Sequence, residues 1–203
     1  LHAIDLDAAQ AGFLACAATG STPLRRHFEK QKDYYQWVTS DGITHKILED
    51  MLDWLESHWP ADNGEAVISW GDSRIANIIY QDFDVGALLD WEMAGLGPRE
   101  IDIGWLVLMH AFYQSFTSPA APGLPDFLQL DDVTRQYQDV SGYKPRDMEW
   151  YIIYAGFLFG TICARGFRRG VHFGEFDWGD DPDDAVYCRQ LLQGLLDKAN
   201  RTA

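Results

Sequence analysis

The chain has 203 residues, 47% of them apolar and 14% aromatic, with only 23% charged. That composition excludes an intrinsically disordered or collagen-like chain, and the length suits one large domain, or a domain with a substantial appendage, with its own core. The 31 acidic and 16 basic side chains give a formal net charge of −15, which repels phosphate backbones and anionic lipid, so neither nucleic acid nor a membrane surface is expected as a partner.

Helical periodicity starts at Leu24 to Trp37, the first predicted helix. Ile47, Leu48, Met51, Leu52 and Leu55 repeat at i, i+1, i+4, i+5 and i+8, which predicts a second helix, stopped by Pro60. Three short runs rich in Val, Ile or Leu then predict strands: Ala66 to Ser69, Ile78 to Tyr80 and Ala87 to Asp90, with Gln81 to Gly86 as the turn between the last two. Ile101 to Phe116 returns to helix. The three prolines of Ser118 to Pro125 mark an irregular loop. Arg146 to Arg168 is the next predicted helix and holds the longest apolar stretch, Trp150 to Ala164, bracketed by Glu149 and Arg165. It falls short of the roughly 18 residues of a membrane span and reads as a buried helix. Cys188, Leu191, Leu192, Leu195 and Leu196 line one stripe of a last helix, with Asp183 and Asp184 placed to favour its N-terminus. The expected class is α+β, mainly helical, with a small β-hairpin region in the first half.

Cys16, Cys163 and Cys188 are an odd number, widely spaced and without a Cys-x-x-Cys pair. They suit a reducing, cytoplasmic setting, and no secretory signal pattern opens the chain. The six histidines form no His-Glu-x-x-His motif and no close pair with cysteine, so zinc is not expected. No Gly-x-Ser-x-Gly elbow is present, which disfavours an α/β-hydrolase. The acidic run Glu175 to Asp184 could attract a cationic substrate, but such runs are more often solvated loops leading into helices.

The chemistry concentrates in Ser69-Trp70-Gly71-Asp72-Ser73-Arg74-Ile75-Ala76-Asn77, a polar loop between apolar strands. If Tyr80 opposes Ala87, then Asn77 opposes Asp90, and an amide oxygen and a carboxylate about 4.5–5.5 Å apart at Cβ could share one cation. Magnesium suits that pair of oxygen donors. Asp72 remains free to accept a proton from an attacking hydroxyl. Asp, Asn five residues later and Asp thirteen after that is the order used in kinase-type phosphoryl transfer, where the protein mainly positions the nucleophile and neutralises charge. Arg74 could neutralise phosphate or the loop's own carboxylates, or be an ordinary surface arginine.

These residues resemble the aminoglycoside phosphotransferase and choline kinase type of small-molecule kinases, within the protein-kinase-like fold. The family's usual loop, His-Gly-Asp-x-x-x-x-Asn, stands here as Trp70-Gly71-Asp72 through Asn77, with tryptophan in place of histidine; that histidine looks like a packing and hydrogen-bonding support. Its metal aspartate commonly lies in Asp-Trp-Glu followed by Gly-x-Pro-x-x-x-Asp, here Asp90-Trp91-Glu92 and Gly97-Pro98 through Asp102. The resemblance implies transfer of the γ-phosphate of ATP or GTP to a small-molecule hydroxyl, with Asp72 as base, Asn77 and Asp90 holding Mg2+ and the nucleotide, and Asp102 bracing the loop. Leu1-His2-Ala3 looks like the end of the helix that opens the family's C-terminal lobe. No Gly-x-G-x-x-Gly loop or Val-Ala-x-Lys strand is present, and Lys30, Lys32, Lys46, Lys144 and Lys198 lie in no such context. Residues 1–203 are therefore expected to be the C-terminal lobe alone, silent without its N-terminal nucleotide-binding lobe. A pseudokinase-like binding module and a metal-assisted phosphoesterase are the alternative readings, and the acceptor is not specified.

Overall fold

Six α-helices and four short strands are found among residues 1–15 and 17–202, the residues described by this computed structural model. Cys16 lies outside them. The first helix, α1 (Pro23–Val38), starts where Thr22 accepts a hydrogen bond from the Arg25 amide at 3.1 Å and Pro23 fills the first position, which needs no amide donor. It buries Leu24, Phe28, Tyr35 and Val38, and α2 (Lys46–Ser57) buries Ile47, Leu48, Met51, Trp54 and Leu55. These are the apolar stripes seen in the sequence.

Strand β1 (Val67–Ser69) is followed by the hairpin of β2 (Ile78–Gln81) and β3 (Asp84–Leu88) and then by β4 (Gly95–Gly97), which pairs antiparallel with β1. The hairpin register differs from the expected one. Ile79 faces Ala87 but Tyr80 faces Val85, leaving Gly86 in a bulge. The turn is also tighter than Gln81 to Gly86: it consists of Asp82 and Phe83, with φ of 51° and 69°, the two positive values a two-residue hairpin turn requires. Each strand thus runs further towards the tip, and the added bulge residue shifts the base of the hairpin. The Leu89 amide donates to the Asn77 carbonyl at 2.8 Å, so Asn77 faces Leu89, not Asp90.

After β4 come α3 (Glu100–Gln114), α4 (Leu130–Ser141), α5 (Met148–His172) and α6 (Arg189–Thr202). Helix α4 was not evident in the sequence because it carries few apolar residues and buries none completely. The centre is α5, packed on α1, α2, α3 and α6. Its most apolar window is long enough to cross a membrane, yet 72% of it is buried against the rest of the chain, which makes it the core helix. At Gly104 of α3 an added Cβ would lie 2.7 Å from the Tyr151 carbonyl, so a side chain there would force the α3 and α5 backbones apart. Phe28, Trp59, Trp150 and Tyr154 form an aromatic cluster, with successive ring centroids 5.1–5.2 Å apart, that ties α1 to α5.

Two expectations about chain ends and acids change. Leu1-His2-Ala3 forms no helix but enters a turn; three residues cannot close a helical hydrogen bond of their own. Asp183 and Asp184 precede α6 in a separate 3-10 turn, and Asp183 serves another helix, its Oδ2 accepting the Ile47 amide of α2 at 3.1 Å. Part of the acidic run is anchored as well: Asp181 and Asp184 pair with Arg189, and Trp178 lies against Arg168, while Glu175, Asp177 and Asp180 are exposed. Cys163 and Cys188 are buried free thiols.

Candidate active site

The loop after β1 is shaped by one backbone necessity. Gly71 has φ of +87°, and a Cβ there would sit 2.5 Å from the Met93 carbonyl oxygen. Only glycine allows this loop to touch the turn that carries Asp90. From α3, Asp102 fixes the same loop: its carboxylate accepts the Trp70 and Gly71 amides at 2.8 and 2.9 Å, the Ser69 hydroxyl at 2.8 Å and His2 Nε2 at 2.9 Å. Ser73 Oγ returns a bond to the Asp102 carbonyl at 2.6 Å. Asp102 is a brace, as the resemblance implied. Trp70 fills the position of the family's histidine with both packing and a hydrogen bond, being buried and donating from Nε1 to the Leu89 carbonyl at 2.7 Å.

Asp72 projects from this braced loop and is itself buried. Trp105 Nε1 donates to its Oδ1 at 2.8 Å, while Asn77 Nδ2 and Arg74 Nε donate to Oδ2 at 2.7 and 2.9 Å. Three donors from three directions leave the carboxylate little rotational freedom. Arg74 also donates to the Tyr113 hydroxyl at 2.8 Å, and its other terminal nitrogen lies 3.9 Å from Asp90 Oδ2. Partial burial opposes its charge, but Asp72 and Tyr113 outweigh that and hold the guanidinium pKa above its ordinary value. Of the readings open for Arg74, the structure places it on the loop's own carboxylates.

Asn77 Nδ2 also bonds the Asp72 carbonyl, at 3.1 Å. With both partners of the amide nitrogen on Asp72, Oδ1 is the atom left for a ligand. Asp90 leaves β3 with φ of +64° and is half exposed. Glu92, fully exposed, has a carboxyl pKa raised because it hydrogen-bonds the neighbouring Asp90. Among the described residues no group of three or more His, Cys, Asp or Glu comes together as a metal cluster. An amide oxygen and adjacent carboxylates are nonetheless hard oxygen donors of the kind magnesium takes when it keeps several waters. The donor set fits the ion.

Asp72, Arg74 and Asn77 are thus in direct contact, and Asp90 is reached through Arg74. Sequence reasoning missed Trp105, Tyr113 and His2. Trp105 was legible in principle, since it lies three residues after Asp102 and so shares its helical face. His2 is bonded across 100 positions, and no local pattern could reveal it.

Comparison with known proteins follows the same lines. Acyl-CoA dehydrogenase family member 10 of Mus musculus is 24% identical over 163 residues, which take in 71% of this chain and 15% of the mouse protein. A candidate aminoglycoside phosphotransferase from Ralstonia eutropha superposes with a TM-score of 0.72 at 19% identity, covering 98% of this chain and 61% of that one, and shares its fold. A macrolide 2'-phosphotransferase from Brachybacterium faecium, 18% identical, aligns over 93% of this chain and 55% of its own with a TM-score of 0.49, too low to carry an argument. This chain therefore spans less than two thirds of each of these proteins. Residues 1–140 match the sequence model of the Phosphotransferase enzyme family. With its kinase-like α+β fold, the chain belongs to that phosphotransferase family.

Proposed function

We propose that this chain serves the transfer of the γ-phosphoryl group of ATP or GTP to a hydroxyl of a small molecule. The observation that carries this reading is the buried Asp72 carboxylate, aimed by Trp105, Asn77 and Arg74. In the proposed reaction the acceptor oxygen forms a bond to the γ-phosphorus as the bond from phosphorus to the β,γ-bridging oxygen breaks. The hydroxyl proton passes to Asp72, and the nucleoside diphosphate leaves with the electron pair. Arg74 contributes fixed positive charge to the phosphoryl oxygens. Asn77 Oδ1 and the Asp90 carboxylate would hold magnesium, which when bound neutralises the triphosphate.

Residues 1–203 are proposed as the C-terminal lobe of the reacting unit, with a Gly-rich loop and strand lysine supplied by a second lobe. In support, all five lysines lie on helices or in loops, not on strands. By this reading the isolated chain does not turn over. The buried free thiols of Cys163 and Cys188 support a reducing, cytoplasmic setting, and the charge of −15 supports partners other than nucleic acid or membrane.

Asp72→Asn in the whole protein tests the reading, by following nucleoside diphosphate release across a panel of hydroxyl compounds. Turnover should fall by about 10²–10⁴-fold, with much less change in KM. Unchanged turnover would remove Asp72 from the chemistry.

A further inference from the structure

A cavity of about 550 Å³ opens between α1, α5 and the two turns that carry Asp72 and Asp90, with Gly71 and Glu92 in its lining. Its charge runs against that of the chain. Lys30, Arg165 and Arg169 all line it. Several other basic side chains sit on carboxylates, as Arg25 does on Glu56, Arg146 on Asp62 and Arg168 on Asp41. Among the described residues these three have no ion pair. Aromatic rings hold the arginines instead. Arg165 donates to the Tyr34 hydroxyl at 3.2 Å and lies 5.9 and 5.6 Å from the ring centroids of Tyr34 and Trp37, and Arg169 lies 5.8 Å from that of Phe173. Such contacts orient a guanidinium without cancelling its charge.

Glu92 is the one acidic residue in the lining, and it stands at the end of the cavity next to Gly71, two residues from Asp90. The acidic run that might have drawn a cationic acceptor contributes nothing to this cavity, and its Asp181, Asp183 and Asp184 are engaged by Arg189 and α2. Leu158 and Ile162 stand on the face of α5 that continues to Arg165 and Arg169, giving an apolar wall before the charges. From Leu158 to Arg165 is seven residues, about 10 Å along the helix.

Building on the phosphotransfer reading, we propose that this cavity is the acceptor site, and that it selects an alcohol with an apolar stem and an anionic group, carboxylate or phosphate, remote from the reacting hydroxyl. The anion pairs with Arg165, Arg169 and Lys30, and the stem lies along Leu158 and Ile162. The hydroxyl faces Asp72, where it exchanges its proton for the γ-phosphoryl group of the nucleotide.

Titration calorimetry of the whole protein against four six-carbon alcohols tests this, each with a terminal hydroxyl and a carboxylate, phosphate, second hydroxyl or ammonium at the far end. The two anions should bind at least about tenfold more tightly than the diol, the scale of a charge-assisted hydrogen bond, and the ammonium compound most weakly. Arg165→Gln with Arg169→Gln should erase the anion preference without moving the melting temperature, because both side chains are exposed. Equal affinity for all four alcohols, or an anion preference that survives in the double variant, would overturn the assignment. So would loss of anion binding under saturating nucleotide, which would give the cations to the triphosphate. A phosphorylation assay on the same alcohols separates the two readings. Preferred phosphorylation of the ammonium alcohol would sink the anionic acceptor and leave phosphotransfer standing. Transfer to none of them, despite anion binding, would sink phosphotransfer and leave only an anion-binding cavity.

Discussion

The indole Nε1 of Trp105 donates to Oδ1 of Asp72 at 2.8 Å across 33 positions of sequence, joining the first turns of α3 to the loop after β1. Trp105→Phe would keep most of the packing and remove this donor. One buried carboxylate oxygen is then unsatisfied, a loss of about 1–3 kcal/mol in stability. If Trp105 positions Asp72, kcat should fall about tenfold or more while KM stays near its original value. A variant that melts lower but keeps its kcat would make Trp105 a core residue only.

Asn77 and Asp90 should separate in a different way. Asp90 is half exposed and Asp90→Ala should leave the melting temperature unchanged, whereas Asn77→Ala removes two buried donors to Asp72 and should destabilise by about 1–3 kcal/mol. In calorimetry of the whole protein with magnesium and nucleotide, both should weaken binding, Asp90→Ala the more because it deletes a full charge. Equal affinity in wild type and Asp90→Ala would exclude Asp90 as an ion ligand.

Gly71→Ala tests the close approach of two turns. Its φ of +87° alone makes a side chain cost about 1–3 kcal/mol, and the contact at 2.5 Å with the Met93 carbonyl adds to it. Urea unfolding should shift by at least that much, with turnover lost because the Asp72 and Asp90 turns move apart. An unchanged midpoint would contradict the contact.

His27 supplies a pH prediction. It is fully buried, its Nδ1 is 2.7 Å from the Tyr154 hydroxyl, and burial, aided by the charge of Lys30, pushes its pKa down to about 4 from 6.5. The unfolded chain therefore binds the proton more readily. This contribution is complete above about pH 6.5 and is lost progressively as the pH falls towards 4, on the order of 3 kcal/mol in all. His27→Asn should flatten the dependence of the unfolding free energy on pH within that window. A wild-type slope unaltered by the substitution would mean that other groups set it.

Much of this was readable because the decisive patterns are local. The i, i+4 stripes placed α1, α2, α3, α5 and α6, and spacing singled out Asp72 and Asn77, which the structure brings into contact. Two things were not local. The hairpin register depended on whether Asp82 and Phe83 would take left-handed backbone, which neither residue advertises as an Asn-Gly pair would. The support that His2 gives to Asp102 depended on α3 packing beside the opening segment. Helix α4 escaped because a helix with no buried residue leaves a weak apolar stripe.

Asp102 links the Trp70 and Gly71 amides to a helix packed on the core, while the hairpin that leads to Asp90 ends in a Phe83 side chain wholly in solvent. The two halves of the site therefore belong to different units of opening. Deuterium should enter the Trp70 and Gly71 amides only when the whole chain unfolds, at the pace of α5, and should enter β2 and β3 through local fraying that leaves the helices intact. The Asp72 side of the site is fixed by the core, and its Asp90 side rests on the base of a soft hairpin.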